Sequence, residues 1–193
     1  MKSKFKKQIF EEAAKISHLT YQIGQLPGLR EKSKEVKTSE IKNSEIQSVI
    51  KKLKKTLKEY LRLTGKGRGL AAIQIGVPLK IAVVFNQEKI LTIINPKITR
   101  ISDDKYLYPE ICMSANPIIA KVSRSEFIEF EYFDENGEKQ FWRERDKLLN
   151  RVFQHEIDHM EGIINIDLVE SKDLILLSDP NFFKNARFIK SRV

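Results

Sequence analysis

The sequence is poor in cysteine and histidine, and it has no long apolar run. Its single cysteine, Cys112, excludes a disulfide within the chain and favours a reducing compartment. No apolar run approaches the roughly 18 residues that a membrane-spanning helix requires. The first residues, MKSKFKKQIFEEAAKIS, include two glutamates and lack the apolar stretch of a secretory signal. We therefore expect a cytoplasmic protein.

The chain carries more positive than negative charge, and its formal net charge is +9. Such a surplus favours a polyanionic neighbour, and a large ribonucleoprotein would fit. The lysines and arginines are not interleaved with aromatic residues as a dedicated nucleic-acid surface requires. Charge alone therefore leaves a solvated basic surface as the simpler interpretation.

The spacing of apolar residues predicts the main secondary-structure elements. Helices are predicted at 3–18, 45–63 and 146–160. Strands are predicted at 80–86, 90–98 and 127–133, and the turn sequence DENG at 134–137 predicts a hairpin that returns along 138–142. The charged segment 26–37, with its Pro-Gly pair, is expected to be an exposed connection.

Strands that follow one another with few helices between them indicate an α+β fold. We expect antiparallel sheets packed around a central helix that carries an HExxH motif, with additional N-terminal helices and a C-terminal helical tail. At 193 residues the chain suits one domain, 1–193. Within it we expect an N-terminal extension at 1–25 and a basic tail at 173–193.

The predicted helix at 146–160 carries two of the three histidines, in the segment QHEIDH. His155 and His159 are four residues apart, so their side chains share one face of a helix and can bind one metal ion. Glu156 lies about 100° around the helix from His155, where it can contact a water without being a ligand. Buried structural histidines are the alternative, but two at this spacing beside a glutamate favour a metal site.

A catalytic metal site usually has three protein ligands and one open position. Two residues compete for the third place. Cys112 offers a soft, strong thiolate ligand, although most free cysteines are simply small buried side chains. Glu170 would instead give a site of the thermolysin type. The residues alone leave both open.

Three segments, taken in chain order, resemble the signature segments of the peptide deformylase family. They are GRGLAAIQIG at 67–76, EICMS at 110–114 and QHEIDH at 154–159. The resemblance extends from about residue 26 to about residue 167. It implies a metal-dependent hydrolase that removes the N-formyl group from the N-terminal formylmethionine of nascent polypeptides and releases formate.

The resemblance also implies a role for individual residues. It implies that the metal ligands are Cys112, His155 and His159. It implies that Glu156 is the acid/base and that the Gln74 amide and the Met113 backbone N–H bind the developing oxyanion. Support for the site is implied for Glu110 and Arg124, and a substrate pocket for Gly69, Leu70, Glu110, Ile111 and Ile157. The favoured metal is Fe²⁺ in the cell, with Zn²⁺, Ni²⁺ or Co²⁺ substituting on isolation.

Four positions depart from the family's usual pattern, and they bear on substrate preference and catalytic efficiency more than on the chemistry. Lys147 and Asn150 replace small residues ahead of the QHE segment. Ile111 stands where the family usually has glycine, and Arg68 places a charge between the two glycines of the first segment. A divergent relative with weak or altered activity is therefore one alternative. A small zinc metallopeptidase using Glu170 and a non-enzymatic module with a structural metal are the others. The basic tail at 181–192 suggests contact with the ribosome, or a helix that closes the core.

Overall fold

Two antiparallel sheets and two long helices form most of the part of the chain that is described. The computed structural model describes residues 11, 13–23, 28–65, 67–87, 89–176 and 189–190. The helices are α1 (Ser44–Thr64) and α2 (Lys147–Met160). The strands are β1 (Gly69–Ala71), β2 (Ile81–Asn86), β3 (Lys89–Ile101), β4 (Lys105–Ile111), β5 (Ile118–Ser125), β6 (Ile128–Phe133), β7 (Lys139–Trp142), β8 (Leu174–Leu176) and β9 (Ile189–Lys190).

The larger sheet has five strands in the order β1-β2-β3-β6-β7, and every pairing is antiparallel. Successive side chains of a strand point to opposite faces. Along β2, Val83 packs in the cluster that contains the α1 side chains, whereas Val84 packs with Leu149 and Phe153 of α2. The sheet therefore has a helix against each face, which explains why β2 is apolar at consecutive positions.

The smaller sheet has the order β8-β5-β4-β9 and supplies the thiol of Cys112. Cys112 directly follows β4, and a 3₁₀ helix, Met113–Ala115, comes next. Neither β4 nor β5 was among the predicted strands. Pro109 interrupts the apolar pattern of β4, and β5 ends in three consecutive polar residues, Ser123, Arg124 and Ser125.

Helix α2 begins at a conventional cap and buries an unusual number of polar side chains. The Asp146 carboxylate accepts a hydrogen bond from the Leu149 N–H at 2.9 Å, so it satisfies one free donor of the first turn. Gly162, with a φ of 77°, follows the helix in the left-handed region. The buried polar residues of α2 are Asn150, Arg151, Gln154, Glu156 and His159. These residues form a polar stripe of the helix that faces the protein interior rather than solvent.

The predicted elements of the centre of the chain agree with the structure to within a few residues. The connection at 26–37 is mostly exposed in its described part, as predicted, but it also buries side chains that were not expected to be buried. In its described part, Leu29 and Val36 are buried. The Asn95 side chain fixes this segment, because it bonds the Val36 N–H at 3.0 Å and the Val36 carbonyl at 2.7 Å. The charged composition of the segment therefore gave no indication that Leu29 and Val36 cover the core.

The ends of the chain are described only in part. Residues 13–17 are helical, and residues 3–10 and 12 of the first helix, predicted at 3–18, lie outside the described residues. The predicted tail helix falls largely on 181–188, also outside them, and Ile189–Lys190 forms a strand against β4. Among the described residues, no helix is both long enough and apolar enough to span a membrane.

Candidate metal centre

Three potential ligand atoms meet where the end of β4 approaches α2. The Cys112 sulfur and the ring nitrogens of His155 and His159 all lie within 4.8 Å of one another. The Cys112 Sγ is 3.2 Å from His159 Nε2. Cys112 and His159 are fully enclosed, and His155 is partly buried. Helical spacing places the two imidazoles on one face of α2, and the sheet brings the thiol to them.

Glu170, the other candidate for the third ligand, is not part of this group. Its side chain is 75% exposed and pairs with Lys172 at 2.8 Å. It caps a short 3₁₀ helix, Ser171–Asp173, on the surface. The structure thus brings the Cys112 thiol together with the two histidines, and Glu170 does not complete a thermolysin-type ligand set.

Glu110 lies at the centre of a buried ionic network that holds His155. Its Oε2 is 3.0 Å from His155 Nδ1, which leaves the other ring nitrogen to face the centre. Arg124 donates to both carboxylate oxygens of Glu110, and its Nη1 reaches the Asp158 carboxylate at 2.7 Å. Arg151 adds a second cation, with Nη2 2.6 Å from Glu110 Oε1. Such partners fix the orientation of a metal-binding histidine.

These contacts determine the charge states of the network. Burial opposes the charged form of Glu110, but the cations Arg124 and Arg151 and the bond to His155 outweigh it and hold the Glu110 pKa well below its ordinary value. Burial also lowers the pKa of His155, but the contacts with Cys112 and Glu110 dominate and raise it well above the ordinary value. Burial lowers the pKa of Arg151 to about 10. Glu110 is therefore a permanent anion surrounded by cations.

Glu156 is buried without such partners. Burial raises its pKa to about 7. Its Oε2 has no hydrogen-bond partner among the described residues. The other oxygen packs against the backbone of Gly69, where an added Cβ would lie 2.3 Å from Oε1. The carboxylate thus lies at the cleft, packed against Gly69, with free hydrogen-bonding capacity.

The Gln74 side chain is fixed with its amide N–H₂ directed at the site. Its Oε1 accepts from the Ala71 N–H at 2.9 Å, which leaves Nε2 to donate to Ser114 Oγ at 3.1 Å. The same Nε2 lies 3.7 Å from the Cys112 sulfur. Met113, the next residue, begins the 3₁₀ helix and is nearly buried. Both predicted oxyanion donors therefore lie next to the thiol.

A cleft of about 230 Å³ opens onto this centre. Of the five predicted pocket residues, Gly69, Glu110 and Ile111 line it. Leu70 and Ile157 do not line it, and a role for them in binding substrate stays a prediction. Leu70 is fully buried in the core beneath α1, because it points to the opposite side of β1 from Gly69. Ile157 packs instead with the aromatic cluster on the other face of the large sheet.

Several residues of the site were not predicted from the sequence. Arg151, Asp158 and Ser114 each contact a predicted residue, and Tyr60 of α1 forms one wall of the cleft. Gly67 leaves room for the Tyr60 ring, since a Cβ there would be 2.6 Å from it. Arg151 could have been predicted from the sequence, because it lies one turn before His155 on the same face of the helix. The others depend on contacts between distant segments.

A family model for polypeptide deformylases matches residues 21–174, about four fifths of the chain. The chain belongs to the peptide deformylase family. A peptide deformylase of Bartonella tribocorum is 36% identical over 159 residues, which is 78% of this chain and 84% of the relative. The three segments that assemble the centre all lie within the matched region.

Solved structures of peptide deformylases have the same fold. The crystal structure of the peptide deformylase from Thermotoga maritima is 29% identical with a TM-score of 0.69, and 78% of this chain aligns with 96% of that one. That of the Synechococcus elongatus peptide deformylase, in complex with actinonin, is 33% identical with a TM-score of 0.69 and covers 79% of both chains. The antiparallel α+β fold is therefore that of the family.

Proposed function

We propose that Cys112, His155 and His159 bind one divalent metal ion and that Glu156 is the acid/base of a deformylase. The reaction of the family is removal of the N-formyl group from the N-terminal formylmethionine of nascent polypeptides, with release of formate. The observation that carries the proposal is the meeting of a thiol and two imidazoles within 4.8 Å, next to a cleft that His155 lines. All three ligand positions come from segments that the family match covers.

The residues present suit a metal ion. One sulfur and two nitrogen donors match the preference of zinc and of late first-row metals such as iron(II), nickel and cobalt. The partnerless Oε2 of buried Glu156 faces a position where a polar group is required. We assign Fe²⁺ in the cell, with Zn²⁺, Ni²⁺ or Co²⁺ substituting on isolation. A divalent cation there supplies Lewis-acid chemistry, because it polarises a carbonyl oxygen and makes water nucleophilic at neutral pH.

The chain's own groups move the proton and stabilise charge. Glu156 accepts the proton of the attacking water and then delivers it to the leaving amine, which must be protonated to depart. Its raised pKa, about 7, suits both directions of transfer near neutral pH. The Gln74 amide and the Met113 N–H donate to the developing oxyanion, and one such donor is commonly worth about 3 kcal/mol of barrier. Glu110, held by Arg124, orients His155.

We further propose how the remaining parts of the chain are used. The matched region, 21–174, supports a single catalytic domain within 1–193, flanked by the N-terminal extension at 1–25 and the basic tail at 173–193. Formylated nascent chains are made on ribosomes, so we place the protein in the cytoplasm. The net charge of +9 favours association with the ribosome through the basic surface or the tail.

One assay tests the reaction. Purified protein, supplemented with Fe²⁺ without oxygen, is expected to release formate from formyl-Met-Ala-Ser, and a chelator-treated sample is not. Cys112→Ser is expected to lose both metal and activity, whereas Glu170→Gln retains both. The reverse result would favour the zinc metallopeptidase. If the metal-loaded protein released no formate, the remaining interpretation would be a non-enzymatic module with a structural metal.

A further inference from the structure

Arg68 stands at the mouth of the cleft, at the start of β1. It is exposed and lines the cleft between Gly67 and Gly69. Its carbonyl accepts a hydrogen bond from the Phe85 N–H at 2.6 Å, which fixes its backbone against β2. Since β1 is the edge strand of the large sheet, Arg68 lies beside the cleft and not beneath another strand.

The position of Arg68 relative to the reacting groups follows from its neighbour. Gly69 touches the Glu156 carboxylate, as an added Cβ at residue 69 would lie 2.3 Å from Oε1. Consecutive Cα atoms are about 3.8 Å apart, so the backbone of Arg68 is one residue from the proposed acid/base. Arg68 is itself among the residues that line the cleft, so its long, exposed side chain can reach a peptide bound there.

The charge at the mouth of the cleft is not compensated within the described part of the protein. Glu110, which also lines the cleft, is already paired with Arg124 and Arg151 inside the protein. Arg68 forms no ion pair with a carboxylate of the described residues. Its guanidinium therefore remains available to bind an anion, and a carboxylate matches its planar, two-pronged geometry.

We propose that Arg68 makes the cleft prefer substrates with an aspartate or glutamate in the first two residues after the formylmethionine. An extended peptide advances about 3.3 Å per residue, so these two side chains lie within the span of an arginine anchored beside Glu156. The inference rests on the proposed function and deepens it, because it names a substrate class for the same site.

Competition between capped peptides tests the preference. The formylated peptides formyl-Met-Asp-Ser-amide and formyl-Met-Ala-Asp-amide are compared with formyl-Met-Ala-Ser-amide, where the amides remove the terminal carboxylate. We expect kcat/KM to be about two- to fivefold higher for at least one acidic peptide, the size of an exposed ion pair. The ratio is expected to approach one in 0.5 M NaCl, because salt screens exposed charges.

Two variants assign the preference to Arg68. Arg68→Glu is expected to reverse it, so that formyl-Met-Ala-Lys-amide becomes the better substrate. Arg143→Glu, an exposed arginine just beyond the opposite edge of the same sheet, makes the same charge change and is expected to keep the acidic preference. Equal rates for all peptides, or an acidic preference that survives Arg68→Glu, would overturn the inference. Absence of formate from every peptide would overturn the proposed function instead.

Discussion

The surroundings of Glu110 and of Glu156 differ although both glutamates are buried at the same centre. Glu110 is bonded to Arg124, Arg151 and His155, and its pKa is held well below the ordinary value. Glu156 has an oxygen without a partner among the described residues, and burial raises its pKa to about 7. Carboxylates whose environments move their pKa values apart divide structural and chemical roles between them. Glu110 orients a ligand, and Glu156 is poised to exchange a proton.

The largest effect on kcat is expected when Glu156 can no longer accept and release a proton. Glu156→Gln keeps the shape of the side chain and is expected to lower kcat by about 10³-fold, within the range of general acid–base catalysis. Metal content is expected to stay unchanged. The free energy of unfolding at neutral pH is expected not to fall, because Glu156 has no charged partner to lose and burial disfavours its charged form. Fixed-time formate assays measure kcat, and elemental analysis of the same sample measures the metal content. A variant of normal kcat would remove Glu156 from the mechanism.

The corresponding change at Glu110 is expected to act on stability. Glu110→Gln leaves the buried Arg151 without its counter-charge and leaves Arg124 with only the Asp158 carboxylate, which we expect to cost roughly 3 kcal/mol in the free energy of unfolding. Glu131→Gln is the matched control, since that strand glutamate pairs with Lys139 at the surface and is expected to cost less than about 1 kcal/mol. Urea denaturation of both variants measures the difference. Equal costs would mean that the network contributes no more than a surface pair.

A smaller effect is expected from displacing Glu156 without altering it. Gly69→Ala places a methyl group 2.3 Å from Glu156 Oε1, so the carboxylate or strand β1 must move. Overpacking of this kind costs about 1–3 kcal/mol. We expect the thermal midpoint and kcat to fall together, which a melting curve and a formate assay would show. Gly28→Ala is the control, since nothing lies within 4 Å of an added Cβ there.

The smallest effect is expected at the cleft wall. Ile111 lines the cleft where the family usually has glycine. Ile111→Gly is expected to raise kcat/KM on short formyl-Met peptides by no more than about tenfold, the low end for a small change in a pocket. Ile111→Val, which keeps the branched side chain, is expected to change little. An unchanged or lower rate for the glycine variant would show that Ile111 does not restrict the substrate.

Local patterns predicted the main elements and the two histidine ligands, whereas contacts between distant segments could not be predicted. The helix of His155 and the turn at 134–137 were predictable because apolar spacing and an Asn-Gly pair act over a few residues. The choice of Cys112 over Glu170 required the family resemblance, since nothing near either residue shows which one meets α2. The pairing of Arg151 with Glu110 joins residues 41 positions apart. No local periodicity encodes it.

The lone thiol of the chain gives the centre a built-in reporter. Cys112 is the only cysteine and its side chain is almost completely enclosed, so every alkylation event in the protein occurs at a proposed ligand. Thiolates bound to a metal are shielded from electrophiles relative to free ones. Because burial of Cys112 also slows its alkylation, the informative quantity is the rate of iodoacetamide addition in chelator-treated protein relative to metal-loaded protein. A faster rate after chelation would report loss of the metal without an enzyme assay.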